Sequence, residues 1–301
     1  MKEIIDIKQD SEIVRDYISR YGFMPEHNFE YFKCLTDEGQ PAFYYEDDFG
    51  VMCFISDEGK SKVVRSLVEP LAKQDNILNA LQKFVKYCLD VKHFDKIVLE
   101  TRHEIKLELE KVFKKSEYKV LKDRYHLTWP VFIMKNFDES LSGGNWKKMR
   151  YFKNKFFKDQ NPDVGDFQES DKNELKELVK VWAKTRTASD IAHYHRYINF
   201  IDNNFKGFDM VKIIKINGKP VSFFGGWRIV NSGNYYSCIG IYDYSYENIG
   251  EVSNLIDLTE IKKMGVEKAD LGGGEEALTN FKKKFFPDEF YRTDIYTVKK
   301  K

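Results

Sequence analysis

The sequence predicts an α/β fold of the α+β kind, two similar modules in tandem, each a mixed, mostly antiparallel sheet flanked by helices. Three observations carry this. Short alternating segments bounded by turn residues occur in both halves. Each set is followed by an amphipathic helix of 3.6-residue period. The same order, β-β-β-α-β-α-β preceded by helical material, recurs in residues 1–135 and 136–301, as a structural duplication would give.

In the first half, Ala42–Tyr45 and Phe49–Ile55 read as a hairpin and Val63–Val68 as a third strand. Ile77–Val91 carries Ile77, Leu78, Leu81, Phe84, Val85 and Cys88 on one helical face. A strand over Lys96–Thr101, a helix over Ile105–Phe113 and a strand over Tyr118–Trp129 complete the set.

The second half is clearer. Asp209–Ile216 alternates and meets Asn217-Gly218, a strong hairpin signal. Pro220–Val230 continues as a strand, Asn231–Gly233 turns and Tyr235–Tyr242 returns. Ile249–Met264 has helical spacing, with Gly265 placed to end it. A strand over Val266–Leu271, a helix over Glu276–Lys284 and a strand over Phe290–Val298 follow. Between strand and helix stand three glycines, Gly272, Gly273 and Gly274, where the first half has Glu100-Thr101-Arg102-His103-Glu104. A glycine-rich strand-to-helix turn lets backbone N–H groups face an anion or a developing negative charge. The same glycines also suit a plain flexible turn. If one module carries chemistry, it is the second.

Composition bounds the rest. At 42% hydrophobic and 32% charged residues the chain is globular, and its net charge of +1 means that any phosphate binding comes from a local patch. No apolar run approaches the roughly 20 residues that span a bilayer, and the first residues lack a signal-peptide core. Four cysteines, Cys34, Cys53, Cys88 and Cys238, show no C-x-x-C spacing. They read as buried thiols in a reducing, cytoplasmic compartment, without a zinc site. G-x-S-x-G, P-loop, H-E-x-x-H and kinase signatures are absent, which removes support for those chemistries.

The basic patch lies between the modules. Gly144–Lys158 holds six cations and no acid, with Trp146, Met149, Phe152, Phe156 and Phe157 on one face. Arg150 and Lys153 fall at or within that apolar arc, where a cation needs a carboxylate or a ligand phosphate as partner. The patch suits a phosphate, an RNA backbone or peripheral contact with an anionic membrane. Trp182 reads as core; Arg186 at the end of its helix reads as a ligand contact or a helix-dipole contact. Gly225-Gly226 before Trp227 marks a bulge or close approach mid-strand, and Trp227 there lines an acceptor site or a sheet kink. His193 and His195, two apart on a helix, read as ordinary residues.

Several of these residues together resemble the double-module branch of the GNAT superfamily, which includes the catalytic domain of lysylphosphatidylglycerol synthases and the Fem peptidyltransferases. The resemblance rests on Arg150, Lys153 and Asn154 opening the second module. It rests also on Lys262–Gly265 before a strand ending Asp270-Leu271-Gly272, and on Leu278-x-x-Phe281-Lys282 followed by Phe286-Pro287. It implies transfer of an aminoacyl group from aminoacyl-tRNA to an amine or hydroxyl acceptor: a lipid head group, a peptide or a small molecule. No cofactor is implied, because the tRNA ester is already activated. Under it, the backbone N–H groups of Gly272 and Gly273 hold the oxyanion, and Lys282 neutralises it or the terminal tRNA phosphate. Phe281 packs beneath, Arg150 and Lys153 clamp a phosphate, and Asp270 orients or deprotonates the attacking amine. The loop Tyr244–Glu251, with one glycine and two acids, departs from the pyrophosphate loop of acyl-CoA enzymes. Acyl-CoA is the alternative donor, and a tRNA- or phosphate-binding module without catalysis is the alternative of another class.

Overall fold

The structure, a computed structural model, describes residues 1–186 and 194–301. His193 lies outside the described residues. The first half runs β1 (Lys2–Ile4), α1 (Ser11–Tyr21), α2 (Phe29–Cys34), β2 (Gln40–Glu46), β3 (Phe49–Glu58), β4 (Ser61–Ser66), β5 (Leu71–Ala72), α3 (Ile77–Lys86), β6 (Lys96–Arg102), α4 (His103–Phe113), β7 (Tyr118–Val120) and β8 (Tyr125–Ile133). The second runs α5 (Lys147–Gln160), β9 (Asp163–Asp166), α6 (Lys172–Lys184), α7 (Tyr194–Asp202), β10 (Met210–Ile216), β11 (Lys219–Arg228), β12 (Tyr235–Tyr242), α8 (Ile249–Lys263), β13 (Lys268–Asp270), α9 (Glu276–Lys282) and β14 (Glu289–Lys300).

One mixed sheet runs through the molecule in the order β1-β2-β3-β4-β6-β14-β8-β13-β12-β11-β10-β9. The order is symmetric about its centre. β4–β6 and β12–β13 are the parallel neighbours, and the remaining pairs are antiparallel. The halves exchange their last strands. β14 lies against β6 with Thr293 opposite Arg102, and β8 lies against β13 with Val131 opposite Asp270. The sequence pattern shows the two sets of elements but not this exchange, because side-chain alternation is blind to which strand sits alongside.

The stretch 118–129 is two strands rather than one. Both β7 and β8 pair with β14, but four residues between Val120 and Tyr125 stand opposite only two between Ile295 and Val298. The surplus bulges out, where Asp123 takes the ammonium of Lys106 at 2.5 Å.

Helices cover both faces. α1, α2, α6 and α7 bury Val14, Phe32, Leu175 and Phe200 in one apolar layer that crosses the midline of the sheet. On the other face α3 and α4 cover the first half, and α5 and α8 the second. Cys34, Cys53 and Cys88 are free and buried, and Cys238 is half-buried. Among the described residues, no helix is long and apolar enough to cross a membrane.

Candidate functional site

The site is built by two neighbouring strands that part. β12 and β13 pair only through Tyr235 with Ala269 and Tyr236 with Asp270. Beyond, β12 runs on to Tyr242, while the other chain swings away. Gly272 adopts φ +83°, a conformation that favours glycine. Gly274 then pairs with Thr128, each N–H donating to the other's carbonyl at 3.0 Å. Between the parted segments opens a cleft of about 1270 Å³, walled by Tyr242–Glu251 on one side and Gly273–Phe281 on the other. Trp182, Arg186 and Arg196 close a third side, and Tyr125 and Leu127 form the back. A smaller chamber of about 330 Å³ adjoins it, sharing Tyr125, Leu127 and Arg196.

Behind the glycine loop lies a buried polar network. Asp270 Oδ1 accepts the N–H of Gly272 at 2.8 Å, and Oδ2 accepts the hydroxyl of Tyr291 at 2.6 Å. Lys282 Nζ donates to the carbonyls of Leu271 and Gly272, the latter at 2.8 Å. Burial pushes the Asp270 carboxyl up to about 6, against the lowering pull of the Tyr291 and Gly272 hydrogen bonds and of Lys282. Burial lowers Lys282 to about 8, against the pull of Asp270. The Tyr291 ring stacks on Trp129, centroids 5.4 Å apart and planes within 10°. Trp129 Nε1 donates to Thr293 Oγ1 at 2.9 Å, and that hydroxyl donates to Glu100 Oε1 at 2.8 Å.

Of the residues singled out in sequence, Gly273, Arg186 and Phe281 line the cleft. Asp270, Gly272 and Lys282 gather behind it, in places that alter their expected roles. The Gly272 N–H is already held by Asp270, which leaves Gly273, whose N–H has no partner among the described residues, as the donor open to a ligand. The ammonium of Lys282 is occupied by two loop carbonyls and braces the turn. Arg186 lies over the Trp182 ring at 4.3 Å.

The remaining residues lie elsewhere. Arg150 has no carboxylate partner among the described residues: its guanidinium donates to the carbonyls of Leu141 and Gly143, pinning the loop before α5. Lys153 and Asn154 stand on α5 and line neither cleft nor chamber. Trp227 is 3% exposed, with Nε1 donating to the Pro25 carbonyl at 2.8 Å. It is core. The paired glycines before it make a bulge between Gly225 and Gly226, where a Cβ on Gly226 would overlap the Tyr236 carbonyl.

From α5, Lys155 pairs at 2.8 Å with Glu247, which lines the cleft, although Lys155 itself does not. Lys284 likewise pairs with Glu251 at 2.9 Å. The two acids of this loop are thus each matched by a lysine, although sequence alone shows only the acids. The loop delivers the N-terminus of α8 to the cleft. Asn248 precedes that helix at φ +61° and its side chain makes no cap; the Ile249 N–H donates to the Tyr246 carbonyl at 3.3 Å, and those of Gly250 and Glu251 have no partner among the described residues. Sequence reasoning missed Trp129, Tyr291, Arg196, Glu26 and Glu100, which come together only through strand exchange and helix packing.

No protein-family model and no curated protein matches the sequence. Solved structures that share the fold include a conserved protein of unknown function from Bacteroides thetaiotaomicron VPI-5482, with TM-score 0.75 and 16% identity over 100% of both chains. They include L-PGS from Bacillus licheniformis, with TM-score 0.69 and 14% identity over 96% of this chain and 91% of that one. FemX aligns with TM-score 0.66 and 10% identity over 98% of this chain and 97% of that one. The same fold is shared, at TM-score 0.55 and 6% identity over 98% of this chain and 97% of that one, by a tandem GNAT protein from the clavulanic acid biosynthesis pathway.

Proposed function

We propose that the chain is an acyltransferase that moves an aminoacyl group from tRNA to an amine or hydroxyl acceptor, with residues 136–301 carrying the transfer. The observation that carries this reading is the juxtaposition across one cleft of the open Gly273 N–H and the uncapped N-terminus of α8. The first suits an oxyanion, and the second suits a phosphate. At about 1270 Å³ the cleft exceeds the roughly 300–1,000 Å³ usual for small-ligand pockets, as the end of a nucleic acid requires. The shared fold with L-PGS and FemX accords with the family resemblance of the motifs.

In this reading the acceptor nitrogen or oxygen attacks the ester carbonyl, and the new C–N or C–O bond forms as the carbonyl oxygen becomes an anion facing Gly273. The bond to the ribose oxygen then breaks, and that oxygen leaves with the proton given up by the acceptor. Asp270 is a positioning residue: it fixes the turn that presents Gly273. No cofactor enters, since the ester supplies the driving force, and the buried thiols suit a cytoplasmic setting.

A second reading, an acyl-CoA donor, is favoured by the same helix N-terminus, now that lysines offset its two acids. Binding of radiolabelled bulk aminoacyl-tRNA, with acetyl-CoA as competitor, separates them. Expected is binding indifferent to CoA, followed by label leaving the tRNA. Absence of tRNA binding overturns the proposal, and binding without release points to a non-catalytic module.

A further inference from the structure

The chamber beside the cleft is its counterpart in the first half. The cleft opens where β12 and β13 part, and the chamber opens where β4 and β6 end their pairing at Arg65 and Val98. In place of glycines the second strand here offers Glu100. Facing it across the chamber is Glu26, from the loop ahead of α2.

We propose that this chamber seats an alkylammonium group, the charged end of an amine-bearing ligand that enters from the cleft and docks between Glu26 and Glu100. Both carboxylates are half satisfied. Glu26 Oε1 accepts the Tyr31 hydroxyl at 3.0 Å, and Glu100 Oε1 accepts the Thr293 hydroxyl at 2.8 Å. The second oxygen of each has no partner among the described residues. Arg196 and Arg65 also line the chamber and pull the Glu26 and Glu100 carboxyls down, but each is engaged by another acid. Glu38 is matched by Arg196 at 2.7 Å, and Arg65 leans to Glu58 at 3.8 Å. Two half-buried carboxylates that share one chamber and make no ion pair among the described residues are costly unless a cation arrives.

The shape selects the kind of cation. A space of about 330 Å³ is far larger than a bare ion needs, and no group of three or more His, Cys, Asp or Glu among the described residues could hold a metal. Leu35, Phe54, Val98 and Ile295 give the chamber an apolar lining suited to methylenes. Tyr31 and Tyr125 add ring faces that attract an ammonium. Burial, with the charge of Glu26, pushes Glu100 up to about 8, and burial pushes Glu26 to about 7.

The proposal rests on the acyl-transfer reading only in treating the cleft as the way in. An aminoacyl side chain and a free amine acceptor share this chemistry, and both sources are tested. Titration calorimetry of the full chain uses lysinamide, norleucinamide, which lacks the terminal amine, and 1,5-diaminopentane. Lysinamide is expected to bind at least tenfold tighter than norleucinamide. Glu26→Gln with Glu100→Gln is expected to erase that preference while norleucinamide binding and the circular dichroism stay unchanged. A diamine that competes with lysinamide identifies a free amine as the occupant, and lysinamide binding alone identifies the aminoacyl side chain. Equal binding of the two amides, no binding of any probe, or a preference that survives the double substitution overturns the proposal. Turnover is not read, so this failure leaves the tRNA assay as it stands, and a failed tRNA assay leaves the chamber in place.

Discussion

Gly273 lies against the indole of Trp129 so closely that a Cβ at Gly273 would stand 2.5 Å from a ring atom. The indole cannot yield, since it is stacked by Tyr291 and its N–H is held by Thr293. Gly273→Ala must therefore push the loop outward, moving the unpartnered Gly273 N–H. Gly272→Ala has room, its nearest neighbours standing 3.6 Å away, and costs the roughly 1–2 kcal/mol of a left-handed backbone. Label release from aminoacyl-tRNA is expected to fall more than tenfold in Gly273→Ala and less in Gly272→Ala. The reverse order would remove Gly273 from the oxyanion role.

Lys282 braces the loop from behind. Lys282→Met leaves the carbonyls of Leu271 and Gly272 without their donor, and each such buried group costs about 1–3 kcal/mol. Urea unfolding is expected to show a loss of about 2 kcal/mol or more, together with lost transfer. Full stability with lost transfer would return Lys282 to direct contact with the reaction.

Asp270 gives the reaction a pH dependence. As a carboxylate it accepts the Gly272 N–H and fixes the turn; protonated, it holds that N–H more weakly. Transfer is expected to fall below about pH 6, where this carboxyl titrates. Tyr291→Phe deletes a hydrogen bond that favours the charged form, so the acid limb of kcat/KM should move to higher pH, and Asp270→Asn should abolish it. The stability sign is opposite. A folded value above the unfolded one near 3.9 means that ionisation opposes folding, so the contribution of Asp270 declines as pH rises from about 4 to 6. A limb unmoved in Tyr291→Phe assigns it to another group.

Lys155 on α5 pairs with Glu247, a residue that lines the cleft. Lys155→Glu leaves Glu247 unmatched and adds a second acid at the rim. Binding of tRNA is expected to weaken several-fold at low salt, with a shallower dependence on salt concentration, since fewer phosphate contacts release fewer counterions. Lys153→Glu, on the same helix and off the cleft, is the control. Equal effects from both would mean that the helix acts through its overall charge.

The sequence made the elements legible because periodicity is local. The Asn217-Gly218 hairpin, the α8 pattern and the glycine loop lie where alternation and turn chemistry put them. It also marked Gly273, Arg186 and Phe281, which reach the cleft from their own elements. It misplaced Trp227, because a glycine pair before an aromatic looks alike in a bulged core strand and in a ligand wall. For Arg150 it offers a carboxylate or a phosphate but not the loop carbonyls of Leu141 and Gly143, because backbone carbonyls are invisible in a residue string. The acids Glu26 and Glu100 went unnoticed because they lie on separate elements, with no shared spacing to betray them.

The exchanged strands bear on how the molecule is made. When β6 leaves the ribosome its neighbour β14 does not yet exist, and β8 likewise waits for β13. Both strands present unpaired edges until synthesis has passed Lys300, and such edges recruit other chains. The first half therefore has no early native stopping point, unlike a tandem protein whose modules close in turn. Products cut short before β14 should be insoluble or held by chaperones, and the two halves, synthesised as separate chains, should need each other to fold.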